Sequence, residues 1–234
     1  MIIGILGGIG SGKSVSATRN IVRRNCPVFV NYNVNHPKVT RLKKEHIILD
    51  DVIGHKQNGT EIIKKKLNWD FWNEHKHEGY DICLDEVHNL VHSRMAMTKN
   101  NVLLTQWISQ IRKILGENEN HHIWLISQRI ERIDVAFRDL MMKIIHCEKI
   151  QLPTKIPTKV RRKGKILTKM VQITFIVQYE FTGIDCVKMY QFWLENRRLA
   201  KRMRLYKKRL FLANPYFRHY DSYEIINFGE DAYL

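Results

Sequence analysis

The sequence lacks paired cysteines, long apolar runs and, over most of its last third, acid. Its four cysteines, Cys26, Cys83, Cys147 and Cys186, stand singly with no C-x-x-C pair. That argues against a disulfide framework and for a reducing, cytosolic setting with mostly buried thiols. No stretch approaches the roughly 18–20 apolar residues of a membrane-spanning helix, and the longest, Val171 to Val177, has the length of a strand. Met1-Ile5 is apolar but has no basic segment before it, so it does not read as a signal peptide. There is no internal repeat and no low-complexity tract. His75-x-His77 has no cysteine or carboxylate spacing to support it, and reads as solvent-exposed histidines rather than a metal pair. Acid is scarce in one place. Residues 141–218 hold 19 Lys/Arg against 4 Asp/Glu, whereas residues 1–140 hold 20 against 15, and the last 16 residues hold 4 acids and no Lys or Arg.

What is present begins at the amino terminus. Gly7-Gly8-Ile9-Gly10-Ser11-Gly12-Lys13-Ser14 fits G-x-x-x-x-G-K-[ST], the P-loop or Walker A pattern. The apolar Met1–Leu6 before it reads as a buried strand. A helical pattern through Val15, Ala17, Thr18, Ile21 and Val22 follows. Glycines let backbone N–H groups turn towards phosphate oxygens, and a helix amino terminus points its positive end at the same place. Gly7 to Val15 are the expected nucleotide contacts, with Lys13 on the β- and γ-phosphates and Ser14 on Mg²⁺.

Tyr80-Asp81-Ile82-Cys83-Leu84-Asp85-Glu86 is a second signal, a mostly apolar strand ending in two acids. This is the Walker B form of enzymes that hydrolyse a nucleotide with water. Asp85 would hold Mg²⁺, and Glu86 would deprotonate the attacking water. His121–Gln128 reads as a further buried strand, with Gln128 at its tip as the residue that senses the γ-phosphate. Arg129, Arg132 and Arg138 follow. Each is a candidate to act in trans on a neighbouring subunit's phosphate, the alternative for each being a surface or ion-paired arginine.

Further strands are expected at Pro27–Asn31 and Lys143–Ile150, with helices at 62–71 and 101–114. Lys169–Phe181 alternates and reads as a strand that turns at Gly183 and returns through Ile184–Phe192; a basic helix is expected over 193–211. The fold expected is α/β, a P-loop NTPase with a mostly parallel central sheet flanked by helices, carrying a carboxy-terminal basic β-hairpin and helix. Residues 1–150 form the nucleotide core and 151–234 a basic extension packed on the same domain. The basic blocks Arg161-Arg162-Lys163-x-Lys165 and Arg197-Arg198 are the expected contacts with a nucleic acid backbone, independent of base sequence.

Two families are suggested by these residues. The opening Gly4-Ile5-Leu6 with Gly7–Ser14 resembles small nucleotide-type kinases, dephospho-CoA kinase above all, over about fifteen residues. Those kinases place an acid soon after the second strand, where this chain has Asn31-Tyr32-Asn33. The wider pattern resembles the zonula-occludens-toxin-like ATPases of filamentous phages, within the FtsK–HerA group that includes viral genome-packaging ATPases. It is carried by the P-loop, Leu84-Asp85-Glu86-Val87-His88, Leu125-Ile126-Ser127-Gln128, Ile133-Asp134, Arg138 and Tyr220-Asp221-Ser222. The resemblance implies ATP and Mg²⁺ as cofactors and Lys13, Ser14, Asp85, Glu86 and Gln128 in the roles above. It also implies a homo-oligomeric ring with the site at a subunit interface. The expected activity is an ATP-hydrolysing motor that moves viral DNA, most readily a genome-packaging ATPase, in the host cytoplasm or on the virion. A capsid or a membrane-protein portal is the expected further partner, since the chain shows no membrane span of its own. A phage assembly or export ATPase, a small-molecule kinase and a nucleotide-gated DNA-binding protein are the alternatives.

Overall fold

The computed structural model describes residues 1–55, 58–75, 79–87, 99–114, 121–162 and 165–220. Ten strands are named in chain order: β1 (Ile2–Leu6), β2 (Val28–Val30), β3 (Val39–Arg41), β4 (Ile48–His55), β5 (Glu61–Leu67), β6 (Asp81–Leu84), β7 (Ile123–Ser127), β8 (Met141–Arg162), β9 (Lys165–Thr182) and β10 (Lys207–Leu212). The helices are α1 (Lys13–Arg23), α2 (Trp69–Glu74), α3 (Lys99–Ile114), α4 (Val135–Asp139), α5 (Cys186–Glu195) and α6 (Arg197–Arg202). Eight strands form one sheet in the order β10-β9-β8-β1-β7-β6-β2-β3. The run from β8 to β3 is parallel, and β9 and β10 extend it antiparallel.

Alternation in β1 divides the core. Ile2 and Leu6 pack on one face with Phe29, Trp72, Tyr80, Trp107, Phe181 and Trp193. Ile3 and Ile5 pack on the other with Val15, Ala17 and Ile21 of α1. A strand covered on both faces reads as continuously apolar, which is why β1, β6 and β7 were legible as strands. β1 is followed by a crossover to β2 on one side of it, and its neighbour β7 by a crossover to β8 on the other. Their carboxyl ends therefore open a crevice at a switch in strand order, where such sheets take ligands.

Three expected elements are different in the structure. Residues 62–71 are not one helix: β5 pairs antiparallel with β4, and α2 starts only at Trp69. Asp50 and Asp51 stand opposite Lys65 and Lys64, so cross-strand charge pairing favours the hairpin. The Asn68 side chain then accepts from the Phe71 N–H at 3.2 Å and caps α2.

Ile184–Phe192 is not the return strand either. Cys186, Tyr190 and Trp193 recur at helical spacing and are buried together in α5. The partner of β9 is β8, paired from Lys143↔Thr182 to Arg162↔Lys165. This makes a long arm running past the carboxyl edge of the parallel sheet, and residue 150 lies within it. The helix expected over 193–211 is only α6, after which the chain turns through Arg204 (φ 54°) and forms β10 along β9. No helix among the described residues is long and apolar enough to cross a membrane.

Candidate active site

The loop after β1 is shaped by glycines that other residues could not replace. Gly12 has φ 90°, and a Cβ there would run into the Ile176 side chain. Gly7 has φ 149°, and its Cβ would lie 2.6 Å from the Cys147 carbonyl oxygen. Both positions need positive φ and a close approach of backbone to the arm. Gly12 also precedes α1, and its carbonyl accepts the Ser16 N–H at 2.9 Å. The Lys13 side chain is buried and donates to the Gly8 carbonyl at 3.0 Å.

Asp85 and Glu86 sit in the turn that ends β6. Ser14 Oγ donates to Asp85 Oδ2 at 2.7 Å, joining residues 71 apart in the chain. Asp85 is 6% exposed. Burial pushes its carboxyl above the usual range, and the Ser14 hydrogen bond opposes that shift. Asn31, at the end of β2, holds the Asp85 backbone from both sides. Its Oδ1 accepts the Asp85 N–H at 2.7 Å, and its Nδ2 donates to the Asp85 carbonyl at 2.9 Å. The next residue, Glu86, has φ 48°, a left-handed conformation rare outside glycine. Its N–H donates to Asp85 Oδ1 at 2.8 Å. Strained backbone of this kind persists where the surroundings over-determine it.

These groups line one cavity of about 590 Å³, a size in the range of ligand pockets. Gly10, Gly12, Lys13, Ser14, Val15, Asp85, Glu86 and Gln128 all border it. Gln128 Oε1 accepts from Arg132 Nη1 at 3.3 Å, so this arginine stands beside its own chain's site. Arg129 is exposed, and Arg138 is half-buried on α4. The cavity also has walls that sequence reasoning missed. Lys149 and Gln151 of β8 and Thr174 and Ile176 of β9 form one side. Tyr32 and Phe217 form another, beside Tyr220 of the Tyr-Asp-Ser element that carried the resemblance, whose Asp221 and Ser222 lie outside the described residues. The signal available for the arm was its period of two: Cys147, Lys149 and Gln151 share one face of β8. Burial pushes the Tyr220 hydroxyl up to about 12, with the Asp85 charge adding to the shift.

The two oxygens joined by the short Ser14–Asp85 bond are hard donors of the kind Mg²⁺ takes. A buried carboxyl whose charge is penalised is also one that a divalent cation would favour in its ionised form.

A family model described as zonular occludens toxin (Zot) matches residues 1–192. The chain belongs to this family. Among solved structures, it is similar to the amino-terminal domain of zonular occludens toxin from Neisseria meningitidis, at 16% identity over 94% of this chain and 98% of that one, with a TM-score of 0.47. It is also similar to B204, the DNA-packaging ATPase of Sulfolobus Turreted Icosahedral Virus, at 14% identity over 62% of this chain and 74% of that one, with a TM-score of 0.40. The B204 packaging NTPase of Sulfolobus turreted icosahedral virus 2 in complex with ATP-gammaS gives 10% identity over 62% and 74%, with a TM-score of 0.35. No curated protein matches the sequence.

The basic residues expected to meet nucleic acid divide. Arg197 donates to Glu148 at 2.9 Å and stacks on Trp193 at 4.4 Å from the ring centroid, and both it and Arg198 are exposed. Lys163 lies outside the described residues, as do the side chains of Arg161, Arg162 and Lys165. The backbone pairing places Arg161, Arg162 and Lys165 at the far end of the arm.

Proposed function

We propose that this chain binds ATP with Mg²⁺, hydrolyses it, and uses the cycle to move DNA along a homo-oligomeric ring, most readily as a viral genome-packaging motor. The observation that carries the reading is the 2.7 Å bond between Ser14 and Asp85. It joins the loop after β1 to the acid pair after β6 in one cavity. In this reading the loop N–H groups and Lys13 bind the phosphates, and the amino terminus of α1 adds its positive end. Ser14 and Asp85 hold Mg²⁺, which supplies charge neutralisation at the phosphate oxygens. Glu86, fixed by the turn, accepts the proton of the attacking water. Gln128 orients that water from the end of β7. The arm and α6 present positive charge to the DNA backbone without reading bases.

Membership of the Zot family favours a second role for the same chemistry, phage assembly or export beside a membrane-protein partner. The kinase reading is disfavoured by Asn31, whose side chain is committed to the Asp85 backbone where a kinase would need an acid.

The test is turnover of ATP with and without double- and single-stranded DNA, on the parent chain and on Glu86→Gln. DNA-stimulated release of phosphate with no phosphorylated small product is expected for the parent. Glu86→Gln is expected to bind ATP and lose about 100-fold or more of the turnover, the scale of a lost general base. Full hydrolysis by Glu86→Gln would remove the base assignment and the motor reading with it. A monomer at every concentration, with ATP and DNA present, would remove the ring.

A further inference from the structure

On the side of β1 opposite β6, the loop is bordered by the arm. β8 runs beside β1 until His146 stands level with Leu6, then continues past the sheet edge. The Cys147 carbonyl closes against Gly7. Two residues on, alternation returns the same face of β8 to the loop. A Cβ built on Gly10 would lie 4.0 Å from Lys149 Nζ, and apart from its chain neighbours no other described side chain comes as near. Ile176, paired with Lys149 across the arm, packs against Gly12. The neighbouring acid does not neutralise this lysine. Glu148 is on the opposite face, taking Arg197 at 2.9 Å and the Tyr179 hydroxyl at 3.1 Å. Among the described residues Lys149 makes no ion pair.

We propose that Lys149 is a second phosphate-binding cation of this site, supplied in cis by the arm to the polyphosphate of a nucleoside triphosphate. The proposal rests on the nucleotide reading above. A triphosphate carries more negative charge than Lys13 and one divalent ion neutralise, and a further positive group beside the loop supplies the difference. Lys13 is buried and reaches the loop from beneath through the Gly8 carbonyl. Lys149 is exposed and lines the same cavity from β8, on the other side of β1 from the β6 strand that carries Asp85. The cation that sequence reasoning sought on a neighbouring subunit thus has a counterpart within the chain itself.

The experiment is equilibrium binding of Mg-ATP, with steady-state turnover, on the full chain and four variants. Lys149→Ala is expected to raise the Kd and KM for ATP about tenfold, as for loss of one charge-assisted contact. Lys149→Arg is expected to restore both to within about twofold, because it keeps the charge. Lys188→Ala removes a charge paired with Asp185 at 3.3 Å on α5, away from the cavity, and is expected to change neither. Far-UV circular dichroism and melting confirm that each variant folds. If Lys149→Ala binds ATP like the parent while Lys13→Ala does not, this inference fails and the nucleotide reading stands. If Lys188→Ala weakens binding as much as Lys149→Ala, the effect is general charge and the inference fails. If the parent chain binds no Mg-ATP, the nucleotide reading fails and takes this one with it.

Discussion

Replacing Asn31 tests whether the Asp85 turn is held from β2. Asn31 is 1% exposed, and its amide makes both hydrogen bonds to the Asp85 backbone, at 2.7 and 2.9 Å. Asn31→Ala leaves a buried N–H and a buried C=O without partners, each costing about 1–3 kcal/mol. Water entering the space left by the amide recovers part of that, so a loss of about 3 kcal/mol is expected. For a domain of this size that lowers the melting temperature by roughly 6–12 °C. The same change frees the turn that aims Asp85 at Ser14. A shift of about 1 Å in such a group costs on the order of 100-fold in rate, and more Mg²⁺ should be needed for half-maximal turnover. The assays are urea unfolding and an ATPase titration with Mg²⁺. Asn31→Asp keeps an acceptor for the Asp85 N–H but loses the donor and buries a second carboxyl beside it, so it should not rescue. Asn33→Ala is the control. That exposed side chain accepts from Arg41 at 3.2 Å, and its loss should cost about 0.5 kcal/mol or less. An Asn31→Ala chain that melts with the parent and keeps its Mg²⁺ requirement would refute the clamp.

Gly12→Ala should destabilise the fold by about 2–5 kcal/mol, from left-handed backbone strain and collision with Ile176, and should weaken ATP binding. Gly8→Ala, with open space around it, should be nearly neutral in the same urea measurement. His146 supplies a pH dependence. Burial among Tyr190, Trp193 and Tyr179 lowers its pKa from 6.5 to about 4. The unfolded chain then binds more protons between those values. The contribution of His146 is fully present above pH 6.5 and declines as pH falls, reaching a loss of about 3 kcal/mol below pH 4. Urea midpoints at pH 7.5 and pH 5 should show the decline. His146→Gln should flatten it in part, because burial also lowers His122, to about 4, and His36 and His46 in the same direction.

The parts legible from the residues alone are those whose signal is local. The P-loop is eight contiguous residues, and two of its glycines, Gly7 and Gly12, take positive φ where a Cβ would collide with the arm. β1, β6 and β7 are mostly apolar because both faces of the sheet are covered, so the polar residues that follow β6 and β7, Asp85-Glu86 and Gln128, stood out. Whatever depends on pairing across distance became visible in the folded chain. β8 and β9 could not be matched from alternation, because period two marks a strand without naming its partner. α5 carried aromatics that suit a strand as well as a helix, and burial of Cys186, Tyr190 and Trp193 on one side settled it. Asn31 looked like a missing acid until the fold set it against Asp85. Lys149 was one basic residue among 19 in residues 141–218. The register of β8 on β1 is what brings its ammonium group to Gly10.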